Sequence, residues 1–308
     1  MKGKDLISIL FLLLLLGCSD SVTDIEDNLK NEIVLFYGYE MDSEIISIYT
    51  MNTDGSNLKT IYTGSRSYPT WFEYEKSIIT ISRPNYSGGV YDYNLEKLEI
   101  VDNQIVSTIV KSNIDKNVLF LRYSQRHNSI FCSYYEDAIS KIGCFDLSTN
   151  SLFEVSSTNY DQRNPVFSNV DDWIYFSTRI DETYDIYRMK KDGSQYQPVL
   201  IDPVYDLTTF SVSYDGSLLV TSRYNSVNSY LTVYDIQNSE IVIDIDVSRF
   251  GMALYPNFTK DNNKILFVNG TPNNYNVARN IHIVDVDGKN HSQLTYFQNQ
   301  IINRPLSW

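Results

Sequence analysis

The chain is short of the residues from which catalytic and metal sites are built. Its 308 residues include three histidines and three cysteines. The histidines, His127, His282 and His291, show no HxxH or HExxH spacing, so no tetrahedral zinc set can be read from them. There is no Gly-x-Ser-x-Gly elbow, which removes the nucleophile turn of the α/β-hydrolases. There is no glycine-rich phosphate loop either; Ser87-Gly88-Gly89 is read as a flexible connection. Positive charge is scarce, with 25 Lys and Arg against 38 Asp and Glu, a net charge of −13. Such a surface repels phosphate backbones, so nucleic acid is not an expected partner. No catalytic residue, metal or cofactor is expected. Carboxylate pairs such as Asp171-Asp172 are placed in turns, although two acids converging from different parts of the chain would escape a linear reading.

Long hydrophobic runs are also missing, except at the N-terminus. Lys2 and Lys4 precede an apolar run from Leu6 to Leu16, interrupted only by Ser8. It is well short of the roughly 20 residues that span a bilayer as a helix, and it suits the h-region of a secretory signal. The run ends in Leu15-Leu16-Gly17-Cys18, which resembles a bacterial lipobox. That resemblance implies a signal peptide over 1–17 and lipid on Cys18. An ordinary signal peptide with an incidental cysteine is the alternative. The polar, acidic stretch 18–31 reads as a tether. Ser19 after the cysteine resembles outer-membrane sorting, with periplasmic and surface orientations both open. Removal of 1–17 leaves 23 basic and 37 acidic residues, a charge of −14, so the lipid is the one expected membrane contact.

What is abundant is tyrosine, with 25 copies, and internal repetition. Ile48–Gly55, Ile186–Gly193 and Ile281–Gly288 each read as an alternating strand ending in Asp-Gly, the dipeptide of tight hairpins with positive φ. Degenerate copies lie at Val90–Lys97, Ile142–Ser151 and Leu231–Ser239. The turns are placed at Asp54, Glu96, Thr149, Asp192, Asn238 and Asp287, with spacings of 42, 53, 43, 46 and 49. A period of 40–50 residues built of strand pairs fits a propeller blade. A second signature alternates with the first: Tyr68-Pro-Thr-Trp-Phe72, Asn164-Pro-Val-Phe-Ser168 and Tyr255-Pro-Asn-Phe-Thr259. Tyr214–Val220 supplies a copy without proline, and Arg122–Tyr134 a poorly matched one. The histidines fall in different repeats or in strand interiors.

Strand, Asp-Gly, short strand, loop and Pro-x-Trp/Phe resemble the repeat of TolB-like propellers, a WD40-like repeat of the PD40 type. The resemblance covers 32–308 and implies an all-β fold of six four-stranded antiparallel blades. Asn303–Trp308 reads as an innermost strand and Glu32–Tyr37 as a second strand, so the last blade is expected to close by pairing the two ends of the chain. Closure of this kind removes an exposed edge. Propeller lyases of acidic polysaccharides resemble this fold and use several histidines around a metal, a supply this chain lacks.

With strands A to D running from the axis outward, the A–B and C–D turns lie on one face. The B–C loops and D–A links lie on the other. The first set is short and rich in turn formers; the second is longer, where binding concentrates. Tyr68, Tyr86, Tyr160, Tyr205, Tyr224, Tyr255 and Tyr275 are mapped to the loop face as a candidate binding surface, since tyrosine offers a rigid apolar plate with a polar tip. Wedging between blades is the competing role for each. Arg66, Arg163 and Arg304 precede or enter inner strands and are expected at the mouth of the central channel, where they bind an anionic group or neutralise nearby acids. Arg83, Arg179 and Arg223 end B strands and are expected to pair with acids of neighbouring loops. Cys132 and Cys144 fall on successive strands around Ala138, and either form a cross-strand disulfide or pack as two small apolar groups. Together these readings point to a monomeric, non-enzymatic, lipid-anchored binding module of the bacterial cell envelope with a protein partner. Surface capture of a glycan, and a propeller lyase or hydrolase, are the alternatives.

Overall fold

The computed structural model describes residues 32–41, 45–72, 77–87, 90–101, 104–156, 158–225, 228–271 and 277–307. The expected signal and tether, with Cys18, lie outside the described residues. In chain order the strands are β1 (Ile33–Glu40), β2 (Ile46–Asn52), β3 (Lys59–Gly64), β4 (Arg66–Phe72), β5 (Ser77–Ser87), β6 (Val90–Val101), β7 (Gln104–Ile114), β8 (Asn117–Ser124), β9 (Ser129–Glu136), β10 (Ile139–Asp146), β11 (Ser151–Glu154) and β12 (Asp161–Phe167). They continue with β13 (Trp173–Arg179), β14 (Tyr184–Lys190), β15 (Gln197–Leu200), β16 (Phe210–Val212), β17 (Leu218–Tyr224), β18 (Ser229–Asp235), β19 (Glu240–Asp246), β20 (Met252–Phe258), β21 (Lys264–Gly270), β22 (Ile281–Asp285), β23 (Ser292–Gln293) and β24 (Gln300–Ser307). Among the described residues the one helical piece is a 3-10 turn at Ser248–Phe250.

These strands form six four-stranded antiparallel sheets. Blade 1 is β4–β7, blade 2 β8–β11, blade 3 β12–β15, blade 4 β16–β19 and blade 5 β20–β23. Blade 6 has the order β24-β1-β2-β3. Val34 pairs with Ser307 and Tyr37 with Asn303, so the sixth blade closes as the sequence predicts. Each pair of neighbouring blades shares an apolar cluster. Ile81, Leu95, Leu121 and Ile130 join blades 1 and 2; Leu35, Ile48, Trp71 and Leu306 join blades 6 and 1. A middle strand is therefore covered on both sides. That is why β13 carries an unbroken buried run from Ile174 to Thr178 where a half-exposed strand would alternate.

The turns on one face are built by aspartate. Asp54, Asp192, Asp215, Asp261 and Asp287 each accept the N–H two residues on, at 2.8 to 3.0 Å. This side-chain turn holds the chain while the following glycine, as at Gly55 and Gly193 with φ near +80°, takes a conformation costly for other residues. In blade 1 the sequence reading misplaces the turn. Glu96 lies inside β6, and Val101 pairs with Gln104, so the chain reverses between those two. Lys97-Leu98-Glu99 continue the strand because Leu98 is buried in the cluster with Trp71.

The cysteines are not bridged. Cys132 pairs with Gly143 and Cys144 with Phe131, because the hairpin turns about Asp137-Ala138 and not about Ala138 alone. A slip of one residue puts the two thiols on opposite faces of the blade. Cys132 packs toward blade 1 and Cys144 toward blade 3.

Deleting residues 303–308 should lower the thermal midpoint by more than about 10 °C, measured by circular dichroism, because it opens the ring. The milder Leu306→Ala should cost about 2–5 kcal/mol in urea titration, the usual range for a buried leucine. A deletion with an unchanged midpoint would show that closure contributes little.

Candidate functional site

The inner strands carry the feature that shapes the channel. Tyr68, Phe120, Asn164, Tyr255 and Arg304 occupy equivalent places in five blades, and all have φ between +50° and +57°. Each sits in a β-bulge, where two inner-strand residues oppose one on the next strand: Tyr68-Pro69 faces Thr80, and Asn164-Pro165 faces Phe176. Four of the five precede proline, which has no N–H to offer the ladder. The Pro-x-Trp/Phe signature is thus the trace of a bulge. The short β16 of blade 4 shows no register shift.

The five bulge side chains meet around the axis. The Tyr68 and Phe120 rings lie 5.4 Å apart, and Tyr37 packs on Tyr68 at 5.7 Å. The Arg304 guanidinium lies 3.7 Å from the Phe120 ring centre and 5.7 Å from that of Tyr255. It donates from Nη2 to Asn164 Oδ1, which joins blade 6 to the diametrically opposite blade 3. What remains open at this waist is a cavity of about 10 Å³, room for no more than a single water. Arg304 is therefore a buried cross-axis tie and not a residue of the channel mouth. Burial lowers its pKa, against the pull of the Tyr37, Tyr255 and Tyr68 hydroxyls.

The other two arginines are also spoken for. Arg66 reaches Glu96 with Nη2 at 2.6 Å and Nε at 3.0 Å. Ser82 and Ser107 donate to the same carboxylate, so one ion pair fastens all four strands of blade 1. Burial would raise the Glu96 pKa, but the three donors outweigh it and hold it low. Arg163 pairs with Asp161 at 2.7 Å, beneath the Tyr184 hydroxyl.

The loop face keeps part of its expected tyrosine surface. Tyr68 and Tyr255 have gone to the channel. The side chain of Tyr86 and the whole of Tyr275 lie outside the described residues. Tyr224 is half-buried at the end of β17, and Tyr205 lies under Arg223 at 4.7 Å. Tyr160 is 42% exposed. On the next link, Ile201 and Val204 are 57% and 71% exposed. That link is braced. Asp202 accepts the N–H groups of Val204 (2.9 Å) and Tyr205 (3.1 Å) and pairs with Arg223 at 2.9 Å. Leu207 N–H bonds Tyr184 O at 2.8 Å. The pairing of Arg223 with a neighbouring loop acid follows the sequence expectation; no ion pair involving Arg179 is seen among the described residues.

The opposite face holds the larger opening, which the sequence reading missed. A funnel of about 110 Å³ opens among the A–B turns. Trp71, Tyr123, Phe167, Val212, Phe258 and Leu306 line it, one from each blade, and Arg122 forms its floor. Arg122 also lines the waist. Burial, and then the charge of Arg304, bring its pKa down to about 9. The signal available in the sequence was an arginine two residues after the bulge position of blade 2, hidden because that blade has no proline there.

Among the described residues no group of three His, Cys, Asp or Glu side chains could hold a metal. Two histidines mapped apart do meet: His282 Nδ1 lies 3.0 Å from His291 Nε2, with Phe250 stacked on His291 at 3.6 Å. Burial, and then the neighbouring His291, push His282 down to about 4; burial and Arg249 lower His291.

With this geometry established, comparison with known proteins is informative about fold. Neither a family model nor a curated protein matches the sequence. Among solved structures the chain superposes on TolB from Acinetobacter baumannii with a TM-score of 0.69 at 13% identity, over 90% of this chain and 66% of that one. It superposes on a putative TolB from Agrobacterium tumefaciens with a TM-score of 0.65 at 12% identity, over 87% and 91%. The fold is that of a TolB-like propeller. An oligogalacturonate lyase from Vibrio parahaemolyticus shares it with a TM-score of 0.56 at 10% identity, over 85% of this chain and 78% of that one. An enzyme thus shares this fold, and the fold alone assigns no function.

The histidine pair gives a pH dependence. Both folded-state pKa values lie below the ordinary 6.5, so the unfolded chain takes up protons first and stability falls as pH drops from 6.5 toward 4. Urea titration of the TolB-like propeller at pH 7 and pH 5 should differ by on the order of 1–2 kcal/mol from His282, and His282→Phe should remove most of that difference. An unchanged pH slope in the variant would assign the loss elsewhere.

Proposed function

We propose that this TolB-like propeller is a lipid-anchored binding module of the bacterial cell envelope that docks a protein partner through its loop face. The observation that carries this is the braced link 201–209. Exposed apolar groups on a soluble face mark interaction sites when they cluster. Here Ile201 and Val204 are held outward by a loop whose backbone is fixed by Asp202, Arg223 and Tyr184, and Tyr160 stands on the preceding link. A surface ordered before contact loses little entropy on binding. The lipobox-like Leu15–Cys18 supports the envelope address, and among the described residues no helix is long and apolar enough to cross a membrane. The half-exposed ring of Tyr160 supports a second reading, glycan capture, on its own.

Two experiments test this. Affinity capture from solubilised envelopes with the tagged chain should recover a stoichiometric protein, and Val204→Asp should reduce recovery at least tenfold with an unchanged thermal midpoint. No partner, or equal recovery with the variant, would sink the docking role; a glycan-array signal abolished by Tyr160→Ala would favour capture in its place. Separately, Cys18→Ser should abolish incorporation of radiolabelled fatty acid and move the chain to the soluble fraction.

A further inference from the structure

The two arginines at the axis have no acid of their own. Arg66, Arg163 and Arg223 each face a carboxylate within 3.0 Å. Among the described residues Arg122 and Arg304 face none, in a chain with 13 more acids than bases. Arg304 is committed to Asn164 and to the rings of Phe120 and Tyr255. Arg122 is not committed. Among the described residues its guanidinium makes one hydrogen bond, from Nη1 to Leu121 O at 3.3 Å, and the charge of Arg304 disfavours its own. Arg304 is buried and Arg122 half-buried; like charges held so without a counterion are costly, and a ligand that supplies the missing charge removes that cost.

We propose that the funnel is a binding site for a carboxylate borne by a polypeptide, either a chain end or an acidic side chain, with Arg122 as its charge partner. A planar guanidinium matches a carboxylate with two parallel N–H donors. Arg122 lines both the funnel and the waist, so a charged tip that reaches it sits at the inner end of the funnel and its stem runs along the wall. That wall carries an apolar or aromatic group from every blade, which suits the hydrocarbon stem of an amino acid. Trp71, whose indole N–H has no hydrogen-bond partner among the described residues, is part of it. The volume of about 110 Å³ admits one side chain or chain end and no folded element. The site opens on the face opposite the loops, so it goes beyond the docking reading above and does not depend on it.

The test compares two probes of the same skeleton, N-acetyl-leucine with a charged carboxylate and N-acetyl-leucinamide with a neutral amide in its place, titrated into the full chain in mild detergent. Thermal midpoint and tryptophan fluorescence are the readouts. The acid should raise the midpoint by about 3 °C at ten times its dissociation constant and change the fluorescence saturably, and the amide should do neither. Arg122→Gln should abolish the effect of the acid. Equal action of the two probes, no action of either, or an undiminished response in Arg122→Gln would overturn the site. Glucuronate acting as strongly as N-acetyl-leucine would overturn its assignment to polypeptide. The comparison of acid with amide on the unaltered protein stands whether or not the variant folds.

Discussion

The architecture depends on one guanidinium that crosses the axis. Blades touch only their neighbours through apolar clusters, and such a ring has no intrinsic centre. Arg304 supplies one. It lies against Phe120 of blade 2 and Tyr255 of blade 5 and bonds Asn164 of blade 3. It reaches them because its backbone is in the left-handed region at φ +50°, a conformation that costs energy for a residue with a side chain. The bulge that imposes this cost redirects a side chain out of the sheet plane, and repetition in five blades turns a local irregularity into a plug. A propeller closed by strand pairing is thereby also closed along its axis.

The acidic composition has a structural use that its net charge conceals. Many of the aspartates are turn residues whose carboxylates are satisfied by backbone N–H groups two residues on. Others fix the loop face, as Asp202 and Asp161 do by meeting Arg223 and Arg163. Once these acids are assigned, the departure that stands out is positive: two central arginines in an acidic protein that, among the described residues, receive no carboxylate. Both ends of the ring then differ in kind. One presents ordered apolar groups around its rim, and the other a recess with charge at its inner end.

The blade count and the closing strand were legible because they depend on turn chemistry and on strand order, both local in sequence. Asp-Gly dipeptides at 54, 192 and 287 are explained by the glycine φ they need. Where the local signal was weak, the reading slipped. Spacing places a turn at Glu96, but burial of Leu98 continues the strand. A turn centred on Ala138 would allow the cysteines to face each other or merely to pack, and a half-residue shift of that centre puts them on opposite faces. The channel plug was out of reach for a different reason. Prolines 69, 165, 256 and 305 were visible, but the direction a bulged side chain takes depends on backbone angles that no pattern of residue types encodes. The same holds for Tyr68 and Tyr255, placed by sequence on a face and by the bulge in the axis, and for Arg122, whose blade lacks the proline that marks the others.

The pairing of β24 with β1 also sets an order in time. Val34 must wait for Ser307, so a chain that emerges from a ribosome or a translocation pore N-terminus first can assemble five blades and still be unsealed. Until the final strand arrives, β1 offers an open edge and the axis lacks the arginine that fills it. Contacts this distant in sequence form slowly, because nearly the whole chain must be enclosed as a loop before they are rewarded. Completion of the ring is therefore the last event of folding, and the interval before it is when the chain most needs a holding chaperone.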